Sequence, residues 1–496
     1  MMHSRSLGLA ARVHPERPAL VAGGRRLGFR ELDERVARLA ATLAGEGFKP
    51  GERLALHLPN GPDTLELLLA CARLGVIAVP LNTRLAAVEL DHILADARPR
   101  GLIRHSSLPA PGVAVAWQRV LDQRPLELVG GAAPAPLEDP DAILALIYTS
   151  GTTGQPKGVI ITHANMLANV QHLASWLPFA AGDVYLHAAP IFHILDFPAL
   201  FAAPATGACQ ATLAQFGARA FAEAVARERV SHTILVPTMI NMLVQSPELG
   251  QHDLSSLATM AYGGSPMARE LILRTRALFP RVKLVQGYGL SESGFLTALL
   301  DEEHTEGRLA SCGRPPPGVD LRIVDESGRE LAVGQHGELV ARGPNVMRGY
   351  WNNPDETARS FRDGFFRTGD IGYRDAEGFF FILDRLKDMI VTGGENVYSG
   401  EVEAVLYAHP AVREAAVLGI PDSKWGELVM ACVVRKPGAT VGADELVAHC
   451  RQSLANYKVP RRIEFSDADL PKSGTGKILK RVLRERFWAG QERAVS

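Results

Sequence analysis

Along the first two-thirds of the chain, short apolar runs alternate with longer segments of helical period. Leu54-Ala-Leu-His-Leu58 predicts a strand, Asn60-Gly61-Pro62 a turn, Thr64 to Leu74 a helix closed by Gly75, and Val76-Ile-Ala-Val79 a second strand. Two strands joined through a helix make a βαβ unit. Repeated, it predicts layered α/β sheets whose ligands sit at the carboxyl ends of the strands. Between about Pro315 and Arg385 the period shortens to alternating strands, Leu321-Arg-Ile-Val324, Gly337-Glu-Leu-Val-Ala-Arg342 and Gly378-Phe-Phe-Phe-Ile-Leu383, divided by Gly, Asn and Asp turns. This predicts a small antiparallel, β-barrel-like subdomain. After Arg385 comes a shorter α+β stretch, with a helical Glu445 to Leu454 and a strand-like Arg462-Ile-Glu-Phe465. A break at Lys387 divides the chain into a large domain, 1–386, and a small one, 387–496, of normal domain size.

Composition narrows the class. The chain has 496 residues, 47% hydrophobic and 22% charged, the balance of a globular protein long enough to enclose a large site. Its 53 basic and 54 acidic side chains leave a net charge of -1, so no positive field exists to hold nucleic acid or an anionic membrane surface. The first residues lack the apolar core of a signal peptide, and no run approaches a membrane span, so a cytoplasmic protein is expected. Five scattered cysteines (Cys71, Cys209, Cys312, Cys432, Cys450) give neither a disulfide framework nor a zinc-ligand spacing, and read as free thiols in a reducing compartment.

Four segments carry candidate chemistry. After the strand-like Ala142-Ile-Leu-Ala-Leu-Ile147 comes Tyr148-Thr-Ser-Gly-Thr-Thr-Gly-Gln-Pro-Lys157-Gly158. It packs the hydroxyls of Thr149, Ser150, Thr152 and Thr153 with Gly151, Gly154 and Lys157. Glycines let backbone amides close on an anion, hydroxyls add donors, and lysine adds a compact charge, so the loop suits phosphate. It is not a Walker A sequence. In isolation it also reads as a flexible Ser/Thr/Gly hairpin. The second segment, Gln286-Gly-Tyr-Gly-Leu-Ser-Glu292, offers Tyr288 for stacking, Ser291 for a phosphate and Glu292 for a divalent cation, or a plain surface turn. In the third, Asp370 can accept from both hydroxyls of a ribose while Arg385 holds a hydroxyl or phosphate; a turn-capping Asp and a surface Arg are the alternatives. The fourth, Pro471-Lys-Ser-Gly-Thr-Gly-Lys477, presents a lysine from a second glycine-rich loop.

In this order, and across nearly the whole chain, these segments resemble the core motifs of the adenylate-forming superfamily. Within it, the run Asp384-Arg-Leu-Lys-Asp-Met-Ile-Val-Thr-Gly-Gly-Glu-Asn-Val-Tyr398, Trp425-Gly-Glu427 and Lys477-Ile-Leu-Lys480 are most similar to fatty-acyl and aryl acid–CoA ligases. The resemblance implies an acyl-CoA synthetase, of the kind used in fatty acid metabolism, with ATP, Mg²⁺ and coenzyme A as co-reactants and room for a homodimer. A carboxylate attacks the α-phosphate of ATP to give acyl-AMP and pyrophosphate; the thiol of CoA then displaces AMP. It also implies a mobile C-terminal lid hinged at Lys387.

By the same resemblance, Thr149 to Lys157 wrap the β- and γ-phosphates, Gly264 and Ser265 line the adenine site beside Tyr288, and Ser291 contacts the α-phosphate. Glu292 binds magnesium, and Asp370 and Arg385 hold the ribose. Lys477 offsets charge building at the α-phosphate and the attacking carboxylate. Gly393, Gly394 and Glu395 join the pantetheine tunnel once the lid has turned. Ser291 stands where many relatives have Thr, which keeps the hydroxyl. A ligase loading a carrier protein and a non-catalytic nucleotide-binding regulator are the rival readings.

The acid is less defined. His193, in Pro190-Ile-Phe-His-Ile-Leu-Asp196, matches the position that gates the acyl site; a core histidine is the alternative. Asp196, followed by Phe197-Pro198, reads as a helix N-cap, with an acid facing the acyl pocket as the other reading. The remaining pocket residues implied are Val236, Pro237, Tyr262, Gly263, Gly287, Gly289, Leu290, Gly294 and Phe295. None is Arg or Lys, which disfavours a dicarboxylate and leaves fatty or aromatic acids.

Overall fold

The computed structural model describes residues 6–22, 24–128, 134–150, 156–472 and 478–488. The predicted βαβ unit forms as the strands Arg53–His57 and Ile77–Pro80, paired in parallel around the helix Pro62–Leu74. Proline in the first turn starts that helix. Gly75 ends it at φ 79°, a left-handed conformation that favours glycine, and its N–H donates to Cys71 O at 2.9 Å.

Two large sheets result. The first has seven strands, in the order Gly349–Tyr350, Pro156–Thr162, Ile143–Ser150, Ile77–Pro80, Arg53–His57, Gly101–Arg104, Trp117–Val120. The second has eight. Its parallel centre comprises Lys283–Leu290, Thr259–Gly263, His232–Leu235, Val184–His187, Cys209–Thr212 and Pro18–Ala22, flanked by the antiparallel Gly294–Leu299 and Arg25–Gly28. The main core lies between the two sheets. Leu54, Leu144 and Val159 from the first meet Ile234, Ala261 and Val285 from the second through the helices Pro62–Leu74, His163–Trp176 and Ala199–Thr206. Each fully buried Leu or Phe there, such as Leu65 or Phe201, contributes roughly 1.5–3 kcal/mol by leaving water.

The alternating segments after Pro315 form the expected antiparallel sheet: Asp320–Val324, Gly337–Arg342, Phe365–Arg374, Phe361–Arg362 and Phe380–Arg385. Bridges through Gly313, to Phe380, and Arg314, to Ala298, fasten it to the second large sheet. A fourth sheet of five strands (Ile390–Thr392, Glu395–Val397, Val412–Asp422, Gly426–Arg435, Arg462–Ser466) has its own core with the helices Ser399–Ala408 and Ala443–Arg451. The molecule is thus a large N-terminal α/β domain with a smaller C-terminal α+β domain. Lys387 lies in the turn between the last strand of the third sheet and the first of the fourth. All five cysteines are free and buried. Among the described residues no helix is long and apolar enough to cross a membrane.

Candidate active site

The first motif draws on two paired antiparallel strands. Ile143–Ser150 pairs with Pro156–Thr162, setting Thr149 opposite Lys157 and Tyr148 opposite Gly158. A Cβ on Gly158 would lie 2.9 Å from the Tyr148 ring, so the ring itself requires glycine there. The Tyr148 hydroxyl donates to Asp96 Oδ2 at 2.5 Å, fixing the strand that launches the loop. Gly151, Thr152, Thr153 and Gly154 lie outside the described residues, as does the side chain of Ser150.

Lys157 is ion-paired with Glu356, and its ammonium lies 5.5 Å from the centre of the Tyr350 ring. The Tyr350 hydroxyl donates to Glu292 Oε1 at 2.9 Å, and the Glu292 carbonyl accepts from Met347 N at 2.7 Å. The segment Met347 to Glu356 therefore ties the first motif to the second. Sequence reasoning missed Tyr350 and Glu356; the only local signal was the helix start at Asn353-Pro354, which looks structural. Ser291 is buried beside Glu292. Among the described residues no group of three or more His, Cys, Asp or Glu is placed to hold a metal. A lone carboxylate fits magnesium that arrives on a nucleotide, because the phosphates and water supply the other ligands.

The third motif assembles as a unit. Asp370, 3% exposed, pairs across the strands with Arg385. Its carboxylate lies 3.1 Å from Arg385 Nε and accepts from the Tyr288 hydroxyl at 2.7 Å. The Asp370 charge raises the Arg385 pKa, and burial, then Asp370, pushes the Tyr288 phenol well up. Tyr288 thus holds the Asp370 carboxylate, a contact the stacking expectation did not include. Gly264 and Ser265 follow the strand Thr259–Gly263 directly, and Gly264 is exposed at φ 79°.

A small apolar pocket lies between the helix His163–Trp176 and the second sheet, where the resemblance puts the acid. Leu173, Trp176 and Leu177 line it from the helix side, Leu195 from the loop after Val184–His187, and Ile234, Ala261, Tyr262, Val285, Gly287 and Phe295 from the sheet. Trp176 meets Phe295 edge to face, centroids 5.4 Å apart. Of the residues expected there, Tyr262, Gly287 and Phe295 line the cavity. Gly263 and Gly264 back onto Leu195, Val236 touches the Gly264 side, and Pro237 is buried at the start of the helix Pro237–Gln245. Gly289, Leu290 and Gly294 do not line it. In the hairpin Gly289 is packed on the Gly294 carbonyl, Gly294 on Asn169, and Leu290 faces the third sheet.

His193 projects from the loop beside this cavity, its Nδ1 accepting from Leu195 N at 3.3 Å. Burial lowers its pKa to about 4, so the ring is neutral and carries its proton on Nε2. Asp196 fulfils neither reading of the sequence. The helix Ala199–Thr206 has no side-chain cap, and the fully buried carboxylate instead accepts from Tyr185 Oη (2.5 Å) and faces His187 Nδ1 (2.7 Å). Those partners lie on an adjacent strand, which no local pattern reveals.

In the C-terminal domain, Gly393 and Gly394 form the left-handed turn between Ile390–Thr392 and Glu395–Val397. A Cβ on Gly393 would lie 2.7 Å from the Trp425 ring, so this turn is braced on Trp425 while Gly394 and Glu395 stay exposed. Lys477 lies outside the described residues. The helix after it, Lys480–Trp488, is anchored at the inter-domain turn. Lys480 pairs with Glu403 (2.7 Å) and donates to Ser399 Oγ (2.5 Å), and Arg484 pairs with Asp388 (2.8 Å).

A hydroxyl-rich hairpin, a carboxylate beside it, a buried Asp–Arg–Tyr unit and an apolar pocket accompany the fold of an adenylate-forming acid–thiol ligase. The chain belongs to the AMP-binding enzyme family, whose model matches residues 8–351, with the AMP-binding enzyme C-terminal domain matching 401–477. It is 41% identical over 485 residues to a feruloyl-CoA synthase of Amycolatopsis sp, covering 96% of this chain and 97% of the relative. It is 35% identical over 503 residues to the fatty acid–[acyl-carrier-protein] ligase ScoC of Streptomyces coeruleorubidus, covering 98% and 96%. The structure of o-succinylbenzoate CoA synthetase (MenE) from Bacillus subtilis, in complex with its acyl-adenylate OSB-AMP, superposes at a TM-score of 0.86 with 33% identity, covering 97% of each chain.

Proposed function

We propose that the protein is a coenzyme A ligase for a compact aromatic acid of the cinnamate or benzoate type. The cavity carries this reading. Its sheet wall runs from Gly287 back to Val285, beside Ile234 and Ala261, about two residues or roughly 7 Å along the strand. A flat ring between Trp176, Phe295 and the sheet fits that depth better than an extended chain, and among the described residues no Lys or Arg lines the pocket to pair a second carboxylate. The feruloyl-CoA synthase relative supports an aromatic acid.

In the first half-reaction the acid carboxylate is the nucleophile, so no side chain need become covalent. Residues 149–157 hold the outgoing pyrophosphate, Asp370 and Arg385 hold the ribose, and His193 Nε2–H orients the carboxylate. Magnesium at Glu292 would neutralise phosphate charge. Lys477 stabilises charge at the reacting phosphorus. The domain 387–496 then turns about Lys387, withdrawing Lys477 and presenting Gly393, Gly394 and Glu395 to pantetheine. We place the enzyme in the cytoplasm and leave room for a homodimer.

The test is AMP release with CoA across benzoates, cinnamates and straight-chain acids from C2 to C18. Highest kcat/KM on a cinnamate or benzoate is expected; preference for C12–C18 acids would refute the aromatic reading. The ScoC relative favours a second acceptor. Acid-dependent pyrophosphate exchange without CoA turnover, but with acyl transfer to a carrier protein, would select it. No AMP or exchange with any acid would point to a regulator.

A further inference from the structure

The segment 188–198 joins the strand Val184–His187 to the helix Ala199–Thr206 and carries both His193 and the cavity residue Leu195. Two buried polar side chains hold its ends. Asn60 is only 9% exposed, and all its hydrogen-bonding capacity turns inward. Its Nδ2 donates to His187 O (3.1 Å) and Ala189 O (2.7 Å), and its Oδ1 accepts from Ile191 N (3.0 Å). The entry to the loop is therefore fixed by three bonds from a residue more than 120 positions away in sequence.

The exit is fixed by Asp196, which is fully buried. Tyr185 and His187, two apart on the strand and so on one face, both reach its carboxylate. The other ring nitrogen of His187 lies 3.0 Å from the side-chain amide of Gln210 on the neighbouring strand. Between the clamps the loop winds through successive turns: His193 N to Pro190 O (3.1 Å), Asp196 N to His193 O (3.1 Å) and Phe197 N to His193 O (3.2 Å). His193 thus sits one turn before Asp196, and Leu195 is its immediate neighbour.

A buried carboxylate is an expensive way to fill a core, and an apolar side chain would pack there at lower cost. What the carboxylate adds is direction: two donors converge on it, so the peptide at 195–196 has one placement relative to the sheet. We propose that Asp196 and Asn60 are positioning residues for acid activation. By clamping both ends of 188–198 they set His193 Nε2 and the Leu195 side chain against the acid site. Neither touches substrate. The inference rests on the acid-binding role assigned above to His193 and the cavity, and it adds residues that act only through that loop.

Because the nucleotide groups Asp370, Arg385 and Tyr288 lie on other elements, loosening this loop should affect the acid and spare ATP. The experiment is acid-dependent ATP–pyrophosphate exchange, with acid varied at saturating ATP and ATP varied at saturating acid. Asp196→Asn keeps the shape but sets an amide N–H against one of the two donors. The expected result is an acid KM raised roughly ten-fold with the ATP KM unchanged within two-fold. Tyr185→Phe removes one donor and keeps the carboxylate, and should give a smaller change of the same kind. If Asp196→Asn fails to fold, Tyr185→Phe alone decides. Acid and ATP KM rising together, or an unchanged acid KM in folded enzyme, would overturn the positioning role while leaving the ligase reading intact. Absence of acid-dependent exchange in the wild-type enzyme would overturn that reading and this inference with it.

Discussion

Replacing Trp176 by alanine tests whether the cavity beside His193 sets acid size. Trp176 closes the helix side of the cavity. Its ring meets Phe295 edge to face at 5.4 Å and lies against His172 at 6.2 Å. Removing the ring forfeits an aromatic contact worth about 0.5–1.5 kcal/mol, so kcat/KM for a cinnamate-sized acid should fall roughly two- to ten-fold. The vacated space admits about three or four further methylenes. At about 0.8 kcal/mol for each buried methylene, an acid long enough to fill it gains roughly 2–3 kcal/mol relative to the short one. Selectivity should therefore shift by about 30- to 160-fold. Trp176 is only partly buried, so the stability loss should stay below the 3–5 kcal/mol typical of a core Trp→Ala change. The assay is pyrophosphate release across para-alkyl cinnamates of increasing length, with the ATP KM as control. Equal loss of activity for every acid would refute the placement of Trp176 in the acid site.

Two other outcomes follow from the assigned chemistry. Lys477→Ala should abolish acyl-adenylate formation yet leave transfer from preformed acyl-adenylate to CoA largely intact; equal loss of both steps, measured separately, would remove its adenylation role. Stability should decline in acid, because burial holds His57 and His163, each 1% exposed, at pKa values of about 4 against about 6.5 in the unfolded chain. Above about pH 6.5 both states are neutral and no proton-linked cost exists. Below it the unfolded chain binds protons the folded one refuses, costing up to about 3 kcal/mol per histidine by pH 4. Urea midpoints between pH 7 and 5 should fall accordingly, and the slope should fall by about a third or less in His163→Gln, because burial also holds His193 at about 4 and lowers His172, His232 and His304.

Much of the nucleotide side was legible because its chemistry is local. Hydroxyls, glycines and Lys157 lie within ten positions, and the strand before them is a plain apolar run. Asp370 and Arg385 were named as separate candidates, and the antiparallel register brings them together. The hydroxyl contact of Tyr288 was not legible, since its partner lies 82 residues away on another sheet. Tyr350 and Glu356 were missed because each looks ordinary until the hairpin and the Glu292 turn close around them.

The sequence by itself determined the α/β architecture, the antiparallel third sheet, the small C-terminal domain and the hydroxyl- and glycine-rich composition of residues 149–157, because periodicity and local donor density survive without neighbours. Only the tertiary structure decided the apolar pocket at Trp176 and the partners of Asp196. Leu173, Trp176 and Leu177 lie on a helix whose apolar face looks like core packing in sequence, and whether such a face meets another side chain or an open space depends on how the sheets are stacked. Asp196 beside Phe197-Pro198 has the local form of a cap. The strand carrying Tyr185 and His187 gives its carboxylate better partners, and tertiary hydrogen bonds to a buried charge outweigh a local capping preference.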